Sequence, residues 1–178
     1  MAVALVLTIL GPDRAGLVEE LAALITSCDG NWLDSRMSHL GGQFAGILRI
    51  TVAPGRQPEL EDGFARLRKA GLQISVQPDE ADTAPVMRKS FKIELTGQDH
   101  PGIVRDLTQV LAQHEGNIEE LSTWTESAPW SGDTLFCAHV EARVPSELPS
   151  AELREALEGI ASDLMVDIKV GTPAPTSA

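Results

Sequence analysis

The chain has 178 residues, 14 of them Lys or Arg and 26 Asp or Glu, for a formal net charge of −12. That balance argues against direct binding of nucleic acid or an anionic membrane surface, since both require clustered basic side chains. No apolar run is long enough to span a bilayer, and two cysteines in a chain of this length point to a reducing cytoplasm rather than a disulfide scaffold.

The opening "MAVALVLTIL" is apolar but lacks a basic leader, and it runs into Gly11-Pro12. It therefore reads as a strand over Val3–Leu10, not a signal peptide. The next apolar positions, Leu17, Leu21, Leu24, Ile25 and Cys28, follow a helical stripe. Asp13 stands where an N-cap carboxylate belongs and Gly30 where a C-cap glycine belongs. Two extended stretches, Asn31–Leu40 and Gln43–Ala53, are joined by Gly41-Gly42 as a hairpin. A second helix is expected over Pro58–Ala70 and a short strand over Leu72–Pro78. The polar stretch "QPDEADTAPV", with two prolines and no periodicity, reads as a linker.

The pattern then repeats. "GPDRAGLV" begins at Gly11 and "GQDHPGIV" at Gly97, an offset of 86 that Asp13/Asp99, Gly16/Gly102 and Gly30-Asn31/Gly116-Asn117 all keep. Constant spacing at both ends of a helix marks a duplicated unit. The second stripe is Ile103, Leu107, Val110, Leu111 and His114. Strands are expected over Asn117–Glu126, Asp133–Val144 and Leu164–Val170, with a helix over Ser150–Ser162. Phe44 matches Phe136, so the register has moved to 92 and the second copy carries six extra residues near "TESAPWSG". Each unit is βαββαβ. The expected fold is α+β: two ferredoxin-like units, each a four-stranded antiparallel sheet with both helices on one face. The expected division is residues 1–77, a linker at 78–86, residues 87–171 and a loose tail at 172–178.

The open sheet faces differ. Phe91, Ile93 and Leu95 alternate with Lys92, Glu94 and Thr96, whereas the first copy places Val6 and Ile47 outward. An apolar outer face calls for a cover, either the other unit or a second chain.

The turn before each first helix is the candidate binding site. Free N–H groups and the partial positive charge of a helix start suit a ligand carboxylate. Gly16 and Gly102, expected near the third helical position, would permit close approach, and Asp13 or Asp99 could receive an ammonium group. Other constellations are weaker. Cys137 and His139 share one strand face, yet with His39, His100 or His114 they show no standard zinc spacing, so no metal is expected. His114, matching Cys28, reads as a core histidine. Trp124 and Trp130 flank the insert and read as burying a hairpin end or, less commonly, as capping a ligand.

Asp13-Arg14-Ala15-Gly16-Leu17-Val18 and Asp99-His100-Pro101-Gly102-Ile103-Val104 resemble the Asp-Arg-Pro-Gly-Ile/Leu-Val turn of the ACT domain, with departures at Ala15 and His100. The tandem arrangement is most similar to the glycine cleavage system transcriptional repressor family. Formyltetrahydrofolate deformylase and the nitrogen-sensing uridylyltransferase carry the same turn beside long catalytic parts. The resemblance implies a non-enzymatic regulatory protein without a cofactor. It would bind a small amino acid, glycine or similar, at Asp13–Leu17 and Asp99–Ile103, with Asn31 and Asn117 as a second wall. It would act on a protein partner such as a DNA-binding activator or an enzyme of glycine and one-carbon metabolism, and its units would pair within the chain or as a homodimer. The alternative is a small acylphosphatase-like hydrolase, which shares the βαββαβ order. That chemistry needs a phosphate-cradling arginine, and Arg14 has no counterpart in the second copy.

With no basic stripe, the purified chain is expected not to retard duplex DNA in a gel-shift experiment. A complex that dissolves as salt rises would overturn this reading.

Overall fold

The computed structural model describes residues 2–79, 88–129, 132–164 and 166–171. Most of the expected linker, the tail and Trp130 lie outside the described residues. The chain divides into two compact units between residues 83 and 84. The first contains β1 (Val3–Pro12), α1 (Leu17–Ser27), β2 (Asn31–Leu40), β3 (Gln43–Val52), α2 (Gln57–Lys69) and β4 (Gln73–Pro78). The second contains β5 (Arg88–Gln98), α3 (Ile103–Gln113), β6 (Asn117–Ser127), β7 (Thr134–Pro145), α4 (Ser150–Leu164) and β8 (Val166–Val170). Both sheets are antiparallel, with orders β2-β3-β1-β4 and β6-β7-β5-β8.

Period-two alternation builds one buried face per sheet. Leu5, Leu7 and Ile9 of β1 and Leu48, Ile50 and Val52 of β3 point inward, against Leu17, Leu21 and Ile25 of α1 and Leu60 and Phe64 of α2. The second unit repeats the layer with Phe91, Ile93, Leu95, Val140 and Ala142 against Ile103, Leu107, Leu111, Leu153 and Leu157. Each fully buried leucine or isoleucine contributes about 1.5–3 kcal/mol by leaving water. The first hairpin turns on Gly41 (φ 58°) and Gly42 (φ 77°), both left-handed as a two-residue turn requires. The six extra residues lengthen the equivalent β6–β7 connection, which Ala128 closes by donating its N–H to Asp133 O at 2.8 Å.

Two differences from the sequence pattern have simple causes. β4 ends at Pro78 as expected, but beyond it Asp79 donates its N–H to Ala4 O while its carboxylate binds Arg49 at 2.7 Å. The start of the polar stretch therefore belongs to the first sheet. At the helix ends the left-handed residues are Asp29 and Glu115, each at φ 53°, not Gly30 and Gly116. Gly30 N–H donates to Ile25 O and Asp29 N–H to Thr26 O, with the same pair of bonds at Gly116 and Glu115. This is a Schellman ending with the glycine one place later. Glycine is needed there for space: a Cβ on Gly30 would lie 2.9 Å from Ile25 O, and one on Gly116 2.8 Å from Leu111 O.

Gly116→Ala is therefore expected to cost about 1–3 kcal/mol through forced backbone movement. Glu115→Gly is expected to stay within about 0.5 kcal/mol of zero, because relief of the left-handed strain is offset by added freedom in the unfolded chain. Urea unfolding of both variants checks the contrast.

Candidate functional site

β1 delivers the chain to the turn, and Asp13 N–H donates to Gly42 O at 2.9 Å, pinning the turn to the hairpin. The chain reverses at Gly16, with φ 85° and ψ −1°, and α1 begins at Leu17. Asp13 is thus not the helix N-cap. Gly16 occupies that position, without a side-chain capping bond, and the Asp13 carboxylate instead lies 3.7 Å from His39 Nε2. Nor is Gly16 the third helical residue. A Cβ there would meet no protein atom within 4 Å; glycine is required by the left-handed backbone, which costs other residues about 1–2 kcal/mol. The first helical bond runs from Glu20 N–H to Gly16 O at 2.9 Å, so the N–H groups of Leu17, Val18 and Glu19 precede the intrahelical ladder.

The second turn has the same backbone. Asp99 N–H donates to Thr134 O at 3.0 Å, Gly102 is the N-cap at φ 107°, and Asp106 N–H donates to Gly102 O at 3.0 Å. Asp13, Arg14, Ala15, Gly16, Asp99 and Pro101 are exposed and His100 and Gly102 half-buried. Leu17 and Ile103 are core residues, so only their backbone can serve a ligand.

The charges around the turns differ. Arg14 donates both terminal nitrogens to the Glu20 carboxylate, at 2.6 and 2.5 Å. These bonds hold the Glu20 carboxyl below the usual carboxylate range and push the Arg14 guanidinium up. In the second unit His100 replaces Arg14, its Nδ1 lying 3.1 Å from Pro101 O. Asp106, matching Glu20, is bound by the adjacent Arg105 at 2.7 Å. That contact holds the Asp106 carboxyl low, with a smaller pull from His100. The sequence pattern gives Glu20 and Asp106 no role and offers His39 only as a metal ligand, not as a partner of Asp13. The first two had a signal, an acid at the same helical position in both copies; His39 had none, because only the hairpin brings it to Asp13.

Asn31 and Asn117 do not join these turns within a unit. Asn31 pairs with Thr51 and Asn117 with Arg143, at the far ends of their hairpins from Gly42 and Thr134. At about 3.3 Å per residue the separation is about 30 Å. A second wall built from these asparagines would have to come from another unit.

The remaining candidates scatter. His114 Nδ1 lies 2.9 Å from Val110 O, and its Nε2 faces Glu152 at 3.8 Å. Cys28 and Cys137 are buried free thiols. Trp124 does not bury the hairpin end; it is 40% exposed on the open sheet face, edge-on to His139 at 4.8 Å. Among the described residues no three His, Cys, Asp or Glu side chains gather to hold a metal ion, and no helix is long and apolar enough to cross a membrane.

ACT-domain family models match residues 4–77 and 92–158. The chain is a tandem ACT-domain protein. It is 26% identical over 161 residues to the glycine cleavage system transcriptional repressor of Escherichia coli (strain K12), covering 90% of this chain and 85% of that one. A crystal structure of a protein from Galdieria sulphuraria superposes on this tandem ACT-domain protein with a TM-score of 0.84 at 30% identity, over 98% of this chain and all of the other. A structure described as a glycine cleavage system transcriptional repressor shares the fold, with a TM-score of 0.68 at 23% identity over 96% and 97% of the chains.

Because its folded pKa is depressed, Glu20 contributes to stability above its unfolded value of about 4.3. That contribution is lost as pH falls through the lower folded pKa. In an NMR titration the Glu20 carboxyl is expected to titrate below the usual carboxylate range, and Arg14→Gln to bring it back up. A Glu20 titration that Arg14→Gln leaves unmoved would show that the Arg14 contact does not persist in solution.

Proposed function

We propose that this tandem ACT-domain protein is a non-enzymatic regulator that binds a small amino acid at its turns and signals through protein contact. The observation that carries the reading is the duplicated turn. A left-handed glycine, an uncapped helix start and an exposed aspartate recur at a constant offset of 86. An amino-acid carboxylate fits the N–H groups of residues 17–19 and 103–105. Asp13 and Asp99, free of any capping duty, suit its ammonium group. A small ligand such as glycine suits a shallow turn, and a further wall would be supplied from outside the unit.

The relationship to the Escherichia coli glycine cleavage system transcriptional repressor along 90% of the chain supports a regulatory role; the partner we propose is a DNA-binding activator or an enzyme of glycine and one-carbon metabolism, in the cytoplasm. The net charge of −12 fits a protein that reaches DNA only through such a partner. The acylphosphatase alternative is disfavoured by Arg14, whose guanidinium is committed to Glu20 and therefore not presented to a phosphate.

A thermal-shift screen of the twenty amino acids tests the proposal. At about 100 times its Kd a ligand of the folded state adds about 2.7 kcal/mol of stability. One small amino acid is expected to raise the melting temperature, and Gly16→Leu and Gly102→Leu each to reduce the shift. The unliganded melting temperature of each variant reports its backbone strain separately. A screen with no responsive amino acid at millimolar concentration would sink the proposal.

A further inference from the structure

The two units share one inner face but not one outer face. On the central strands the outward residues of the first unit are Val6, Thr8 and Leu10, paired across the ladder with Arg49, Ile47 and Ala45. The same six places in the second unit hold Lys92, Glu94 and Thr96, paired with Glu141, His139 and Cys137. Ile47 is 54% exposed and Leu10 39%. The charges on the flanks of the first face, Arg36 with Asp34 at 3.2 Å and Arg49 with Asp79 at 2.7 Å, neutralise one another.

We infer that the outer sheet face of the first unit is a self-association surface, seated on the same face of a second copy of this chain. Three observations select that occupant. First, the outer face of the second unit is a poor match: beside the Lys92–Glu141 pair at 2.7 Å it carries Glu94 and Glu120, and covering it with valine, leucine and isoleucine would desolvate that excess negative charge. Second, the first face is apolar at its centre and its paired charges sum to zero, so the same patch can meet itself about a two-fold axis. Third, the net charge is unevenly shared: residues 2–79 hold seven basic and nine acidic side chains, residues 88–171 seven and fifteen. Two copies of an acidic chain meet with least repulsion through their first units.

The face is about four strands wide and eight residues long, roughly 500 Å² at ordinary strand spacing. Two such faces bury on the order of 1,000 Å², the lower limit for a specific contact, so the dimer is expected to be a micromolar one. The covering of a half-apolar sheet face is a different contact from strand addition at the edges β2 and β4, and it does not depend on amino-acid binding.

Sedimentation of the full chain across the range ~1–100 µM tests this. The unmodified chain is expected to pass from monomer to dimer. The variant Val6→Lys/Leu10→Thr/Ile47→His carries the residues that the second unit already holds in the same fold, and it is expected to weaken the dimer at least tenfold. If that variant does not fold by circular dichroism, Ile47→Lys alone, at an exposed position, makes the same test. A chain that stays monomeric at the highest concentration overturns the inference, whether its face is then covered by the second unit or by another protein. A dimer that survives these substitutions overturns it as well, because association then uses another surface.

Discussion

At each junction of first strand and first helix the chain must change direction within four residues, and glycine alone accepts the backbone that does so without strain. Gly16 and Gly102 hold φ at 85° and 107°. Their conformation aims the helix back across its sheet, so that Leu17 and Ile103 enter the core one residue later. The same conformation leaves the helix start without a side-chain cap. Packing and the candidate binding turn are therefore two results of one backbone choice. A residue that demanded negative φ at either place would disturb both.

Duplication separated the roles of the two sheet faces. The inward positions of both units remain aliphatic or aromatic, since each unit has only one layer of core and both helices rest on it. The outward positions were under no such constraint and diverged in charge. The turns diverged in the same manner: the backbone is common to both, and the side chains around it are not.

The architecture was legible because alternation in strands and the helical stripe are local signals, and repetition doubled each of them. Strand ends Asn31, Leu40 and Gln43 fell where turn chemistry put them. The helix caps were misread in a consistent way. Asp13 looked like an N-cap because its carboxylate has the right chemistry, but the left-handed glycine three residues later moved the helix start to Leu17. Gly30 looked left-handed because glycine usually takes that place, yet Asp29 accepted it and Gly30 was needed for clearance from Ile25. Contacts between distant segments, such as His39 with Asp13 or Arg49 with Asp79, leave no periodic trace. Asn31 and Asn117 stand at the open ends of their hairpins, away from the turn of their own unit.

The two arginine contacts beside the turns differ in what they enclose. Arg14 reaches six residues ahead to Glu20 and so closes a ring that includes the whole reversal. Arg105 holds its immediate neighbour Asp106, a link that encloses nothing. A closed ring lowers the conformational entropy of the segment before anything binds, and an open segment must surrender that entropy on binding. Under the proposed binding, the first turn would meet its ligand with part of that entropy already surrendered.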